Sequence, residues 1–168
     1  NLQDAISNAT LEVTESLILR QRQNVGAVRS RGIELEGNWN ITEALRLRSN
    51  YVFTDSKITD AAQAELVGNS TPQVPQHFAY AGVNYRFSKF TIQIDLQFES
   101  QQFDDDQNRF LLDAFTQVDA KLSYNISSGL QLGVGAHNLF DAEIQIARTP
   151  DLSVGQPRVV FVALGVHP

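Results

Sequence analysis

Cysteine is absent from the 168-residue chain, which excludes disulfides and thiolate metal sites. No stretch approaches about 18 consecutive apolar residues, so no transmembrane helix is expected. Basic clusters are missing as well. Thirteen Lys and Arg stand against nineteen Asp and Glu, and the net charge of −6 argues against a nucleic-acid partner. The opening "NLQDAISNATLEV" has neither a basic start nor an apolar stretch, so no signal peptide is expected there. No G-x-S-x-G elbow or other catalytic constellation is found, and the chain does not read as an enzyme. No segment carries a helical period.

What is present is alternation. The hydrophobic fraction of 42% and charged fraction of 19% describe a chain too apolar for disorder and long enough for one domain. In "FTIQIDLQF", Phe90, Ile92, Ile94, Leu96 and Phe98 oppose Thr91, Gln93, Asp95 and Gln97. "LRLRSNYVF" (45–53) and "TQVDAKLSYNI" (116–126) repeat the pattern. Further strands are predicted near 25–39, 77–87, 130–140 and 157–167, and residues 1–8 read as the end of an earlier strand. In "RSRGIELEGNW", Ile33, Leu35 and Trp39 share one face while Glu34, Glu36 and Asn38 share the other. A soluble sheet could do this, and so could a wall between lipid and a wet interior.

The connections favour the wall. Links at 40–44, 88–89 and 127–129 are tight, whereas those near 55–76, 99–113 and 141–156 are long and polar. Short turns on one rim and long loops on the other describe an antiparallel up-and-down transmembrane β-barrel, here six to seven strands of one. Tyr51, Phe53, Tyr85, Phe87, Phe98 and Tyr124 fall near strand ends, where aromatic girdles sit. If "NITEA" closes a hairpin with Trp39 opposite Leu45, Glu36 faces Arg48, Asn38 faces Arg46 and Glu34 faces Asn50. Glu36–Arg48 is then an ion pair on the polar face. Glu34 has no cation in that register.

Four motifs occur in a family order: "VRSRGIELEGNWNITEALRLRSNYVFTDSKIT", "GNSTPQVPQHFAYAGVNYRF", "GAHNLFDAEI" and "GQPRVVFVALGV". Together they resemble the last strands of TonB-dependent outer-membrane receptors, the ferric-siderophore type above all. The resemblance implies that residues 1–168 are the C-terminal portion of such a barrel, with plug domain and N-terminal strands upstream. It implies an outer-membrane location, uptake of a ferric siderophore or similar ligand, and partnership with the plug and the TonB system. It also places Glu34, at the "RGIE" position, against plug arginines, with Glu36 and Arg48 beside it in the lumen. No resident cofactor is implied. The family ends on an aromatic residue, and Pro168 in "GVHP" departs from that.

Other candidates read as structural. His77, His137 and His167 lie on separate strands without ligand spacing, so no metal site is expected. Asp104–Asp106 lack the spacing of a calcium loop and are expected to form a solvated acidic loop tip. The competing architecture is a small self-contained β-barrel binding module without transport activity, its apolar faces turned inward around a ligand. An outer-membrane enzyme is a more distant third.

Overall fold

Strict alternation gives each segment two chemically different faces, and pairing such segments in register builds a sheet with one greasy side. The computed structural model describes the backbone at residues 2–3, 6–14, 18–24 and 26–166, and side chains at 14, 19 and 26–166. His167 and Pro168 lie outside the described residues. In chain order the strands are β1 (Leu2–Gln3), β2 (Ile6–Val13), β3 (Ile18–Asn24), β4 (Ala27–Asn40), β5 (Leu45–Asp60), β6 (His77–Phe87) and β7 (Phe90–Glu99). They continue with β8 (Gln102–Phe103), β9 (Leu111–Leu112), β10 (Phe115–Ser127), β11 (Leu130–His137), β12 (Gln145–Ala147), β13 (Ser153–Val154) and β14 (Val159–Val166).

Eight of these form one antiparallel sheet in the order β1-β4-β5-β6-β7-β10-β11-β14, a simple meander. The hairpins β2–β3, β8–β9 and β12–β13 are separate, and each lies in a connection on the long-loop side. Residues 2–3 close a strand of the main sheet as expected, whereas residues 6–8 already belong to β2. The turns β4–β5, β6–β7 and β10–β11 are tight, and the connections after β5, β7 and β11 are long.

Among the described residues nothing packs on the apolar face. Ile33 is 61% exposed, Val162 73% and Leu164 67%. Among the described residues the buried hydrophobics are Ile58, Leu66, Leu112 and Ala136, three of them at or beside the loops. A water-soluble sheet of this size would need a second layer to cover such a surface. Here lipid is the layer.

Aromatics mark the edges of the lipid band. On the short-turn side, Phe90 lies 5.9 Å from Phe87 and 4.9 Å from Tyr124, centroid to centroid. On the other side, His77 stacks against Tyr51 at 6.2 Å and meets Phe53 at a tilt at 5.4 Å, and the Tyr51 hydroxyl meets its Nδ1 at 2.9 Å. β6 joins the two levels with 11 residues. At about 3.3 Å per residue and a tilt of about 40°, they span roughly the 25 Å apolar band of an outer-membrane barrel. Trp39 folds its indole over Gly37, where a Cβ would sit 2.0 Å from the ring, and so fills the gap in the β4 stripe.

Two boundaries differ from expectation. β5 runs on to Asp60, because the polar residues 54–60 keep pairing with β4 above the apolar band, and Ile58 is buried under the loop. β11 stops at His137 rather than near 140. Asn138 takes a left-handed φ of 48° and turns the chain. Its amide donates to the carbonyls of Ala142 and Gln156 and its Oδ1 accepts the Ala142 N–H, so "NLFD" is a loop-organising corner.

Candidate functional site

The polar face is wired by side chains whose spacing follows from the register. The β4–β5 ladder pairs Trp39 with Leu47, Asn38 with Arg48, Glu36 with Asn50 and Glu34 with Val52. That is two residues away from the expected pairing, so the Glu36–Arg48 ion pair is not formed. The reason lies in the turn. Thr42 Oγ1 accepts the N–H groups of Ala44 (3.2 Å) and Leu45 (3.0 Å), and the Leu45 carbonyl accepts those of Ile41 and Thr42. This hydroxyl-stabilised loop occupies 41–45 instead of 40–44, one residue further along, and the ladder starts at Asn40–Arg46. A shift of two leaves every side chain on its expected face.

Arg48 finds its carboxylate elsewhere. One rung of the sheet runs Asn38, Arg48, Gly82, Asp95, Asp119. Gly82 has no side chain, so Arg48 reaches across β6 to Asp95 Oδ1 at 3.3 Å. A Cβ on Gly82 would lie 2.6 Å from the Tyr80 hydroxyl and 2.9 Å from Asp95 Oδ1. Tyr80 also donates to Asp95, Gln93 Nε2 donates to its other oxygen at 2.7 Å, and the Arg48 guanidinium lies 5.8 Å from the Tyr80 ring centroid. Asp95 therefore sits at the centre of a four-residue network that the expected pairing missed. An isolated glycine inside a strand was the available signal for such a close approach.

Asp119 directly opposes Asp95, an unfavourable pairing unless each carboxylate has its own donors. Asp119 has three: Gln117 Nε2 at 2.9 Å, His137 Nδ1 at 2.8 Å and the Asn138 N–H at 2.9 Å. Gln97 likewise donates to Glu99 at 2.9 Å. Three Q-x-acid triplets thus hold their own carboxylates in place.

Glu34 and Glu36 are different. Both are exposed on the polar face of β4. Glu36 accepts from Asn38 Nδ2 at 3.0 Å, and Asn50 Nδ2 lies 3.5 Å from Glu34. Among the described residues neither has a cation within ion-pair distance. Asn50 Oδ1 beside them is buried and has no hydrogen-bond partner. The structure brings Glu34 and Glu36 together with this acceptor and leaves Arg48 committed to Asp95.

The acidic run at Asp104–Asp106 is not a solvated tip. The three residues are 5%, 3% and 2% exposed. Asp104 accepts Gln73 Nε2 (2.9 Å) from the connection after β5, and the Arg148 N–H (3.1 Å) and Thr149 hydroxyl from the connection after β11. Asp105 Oδ1 accepts the N–H groups of Arg109 and Phe110 at 2.9 Å, and the Asp106 carbonyl accepts Asn69 Nδ2 at 2.8 Å. Arg148 also donates to the Leu111 carbonyl at 2.9 Å. The run is a hub joining three long loops, and burial is repaid because the carboxylates have protein donors.

Residues 1–139 match the sequence model of the family described as TonB dependent receptor-like, beta-barrel. The chain is 28% identical over 127 residues to the ferrichrome outer membrane transporter/phage receptor of Escherichia coli, covering 70% of this chain and 17% of that protein. It is 29% identical over 154 residues to the metal-pseudopaline receptor CntO of Pseudomonas aeruginosa, covering 87% and 22%. The structure superposes on the siderophore receptor PiuA of Acinetobacter baumannii with a TM-score of 0.78 at 20% identity, covering 95% of this chain and 24% of that one. For the ferric citrate transporter FecA the TM-score is 0.74 at 20% identity, covering 96% and 27%. The chain thus spans about a fifth of the length of these curated relatives.

Proposed function

The chain belongs to the TonB-dependent receptor β-barrel family, and from that premise we propose that it serves active uptake of a ferric siderophore or similar metal complex. It is an outer-membrane wall segment with the external loops attached. In the proposed receptor a plug domain and further strands precede it, and energy arrives from TonB. The observation that carries the reading is the division of the sheet: an uncovered apolar face, and opposite it a hydrogen-bonded polar face with long loops on one rim.

Within that reading, Glu34, Glu36 and the free Asn50 Oδ1 form a patch of acceptors facing the bore. Such a patch calls for donors, and cationic side chains of a plug would supply them. Arg48 contributes by holding Asp95 and, through it, the neighbouring wall, so its contact with the plug is secondary to Glu34. Replacing Glu34 with Gln in the full-length receptor removes the charge and keeps the shape. The expected outcome is a plug destabilised by about 1.5–3 kcal/mol, the cost of a charged hydrogen bond, with reduced uptake and an unchanged barrel. Wild-type uptake together with wild-type plug stability would remove Glu34 from that role.

A self-contained soluble binding module is disfavoured by the same uncovered face. Expressed alone in water, the chain is expected to aggregate, because the apolar stripes are bare and β1 and β14 are open edges. A stable monomer in size-exclusion chromatography without detergent would favour the module instead.

A further inference from the structure

Above the lipid band, the outward face of β4 and β5 changes chemistry within one rung. The last apolar pair is Ile33 with Phe53. The next pair on the same face is Arg31 with Asp55, and the one beyond is Arg29 with Lys57. Arg29, Arg31 and Lys57 are exposed. Among the described residues none of the three has a carboxylate within ion-pair distance, Asp55 included.

Two cations directly opposite each other on one face repel, and an antiparallel pair carries that cost unless an anion lies between them. Their Cβ atoms stand roughly 5 Å apart in such a pair, a spacing one phosphate group can bridge. Arg29 brings a planar fork of donors suited to phosphate oxygens, and Lys57 a mobile point charge. Their height selects the source of the phosphate. They form the second same-face pair beyond Phe53, whose ring packs on His77 at the upper aromatic level, on the side of the long loops. That is the headgroup level of the external leaflet. Strand alternation places these side chains on the face opposite Thr54 and Ser56, away from the bore.

We propose that Arg29 and Lys57, with Arg31 beside them, form a docking site on the outer wall for the phosphate group of an external-leaflet lipid. The site rests on the membrane placement of the sheet alone and is independent of what the barrel transports. Lipid phosphate held there offsets the repulsion between the two cations and anchors the β4–β5 hairpin where it leaves the membrane.

The test uses the full-length receptor in uncharged detergent, titrated with a bisphosphorylated glucosamine lipid and followed by native mass spectrometry. Arg29→Gln and Lys57→Gln are each expected to weaken binding about fivefold, and together roughly 25-fold, as for basic residues at an anionic lipid surface. Lys57→Arg, which keeps the charge, is expected to bind as the parent does, and Arg46→Gln, on the bore face, to change nothing. The dephosphorylated lipid is expected to lose binding to the same extent as the double variant. Binding by the double variant within twofold of the parent would overturn the proposal. So would equal protection by inorganic phosphate at matched concentration, which would assign the site to a free anion. Should the double variant fail to assemble, the parent decides: insensitivity of lipid binding to salt between 50 and about 500 mM would overturn the proposal equally.

Discussion

Ile94→Arg is expected to lower the stability of the folded barrel by about 2–4 kcal/mol, the cost of a guanidinium at the lipid midplane. Ile94 lies midway along β7 between Phe90 and Phe98, the aromatic ends of the apolar stripe, and its rung neighbours are Val83 and Ala120. It is 41% exposed on a face that no described residue covers. Its side chain therefore meets hydrocarbon, and an arginine there must snorkel or thin the bilayer. The paired control is Gln97→Arg, three residues along the same strand on the polar face. There the new cation meets Glu99 and water, and the expected change is within about 0.5 kcal/mol. Reversible urea unfolding of the full-length receptor in lipid vesicles reads both. Equal losses for the two variants, or a larger loss for Gln97→Arg, would reverse the assignment of the faces.

Asp104→Ala is expected to loosen three loops at once. The carboxylate takes donors from Gln73, Arg148 and Thr149, and a methyl group would leave them unpaired in a site only 5% exposed. Hydrogen bonds to a charged acceptor contribute about 1.5–3 kcal/mol each, and loss of even one speeds local opening by roughly 10- to 100-fold. Hydrogen exchange followed by mass spectrometry is expected to show faster exchange together in residues 69–73, 102–112 and 145–149. Asp104→Asn, which keeps the acceptor without the charge, is expected to fall between parent and Ala. Loosening confined to residues 102–112 would show that the other two loops are held by other contacts. The strands below are not expected to change, since their ladders are closed independently of the hub.

The pairs that organise this molecule lie far apart in sequence. Arg48 and Asp95 are separated by 47 residues and meet over Gly82, and Asp104 draws donors from 31 residues upstream and 45 downstream. For the first, local pattern offers only the isolated Gly82, and for the second it offers nothing. In "DDD" the local pattern points to water, because three adjacent carboxylates repel unless neighbouring segments bring donors to them. Likewise the Glu36–Arg48 pairing depended on where one turn closes, and a threonine hydroxyl holds that turn one residue further along.

The sequence by itself determined the two faces, the meander and the alternation of tight turns with long loops, because a period of two residues assigns every side chain to a side whichever even register is adopted. Only the tertiary structure decided which charges neutralise one another, which acceptors stay open toward the bore and that the acidic run is interior. Those outcomes depend on the exact register between strands and on loops meeting in space, and both are set by backbone hydrogen bonds and close approaches that no single segment encodes.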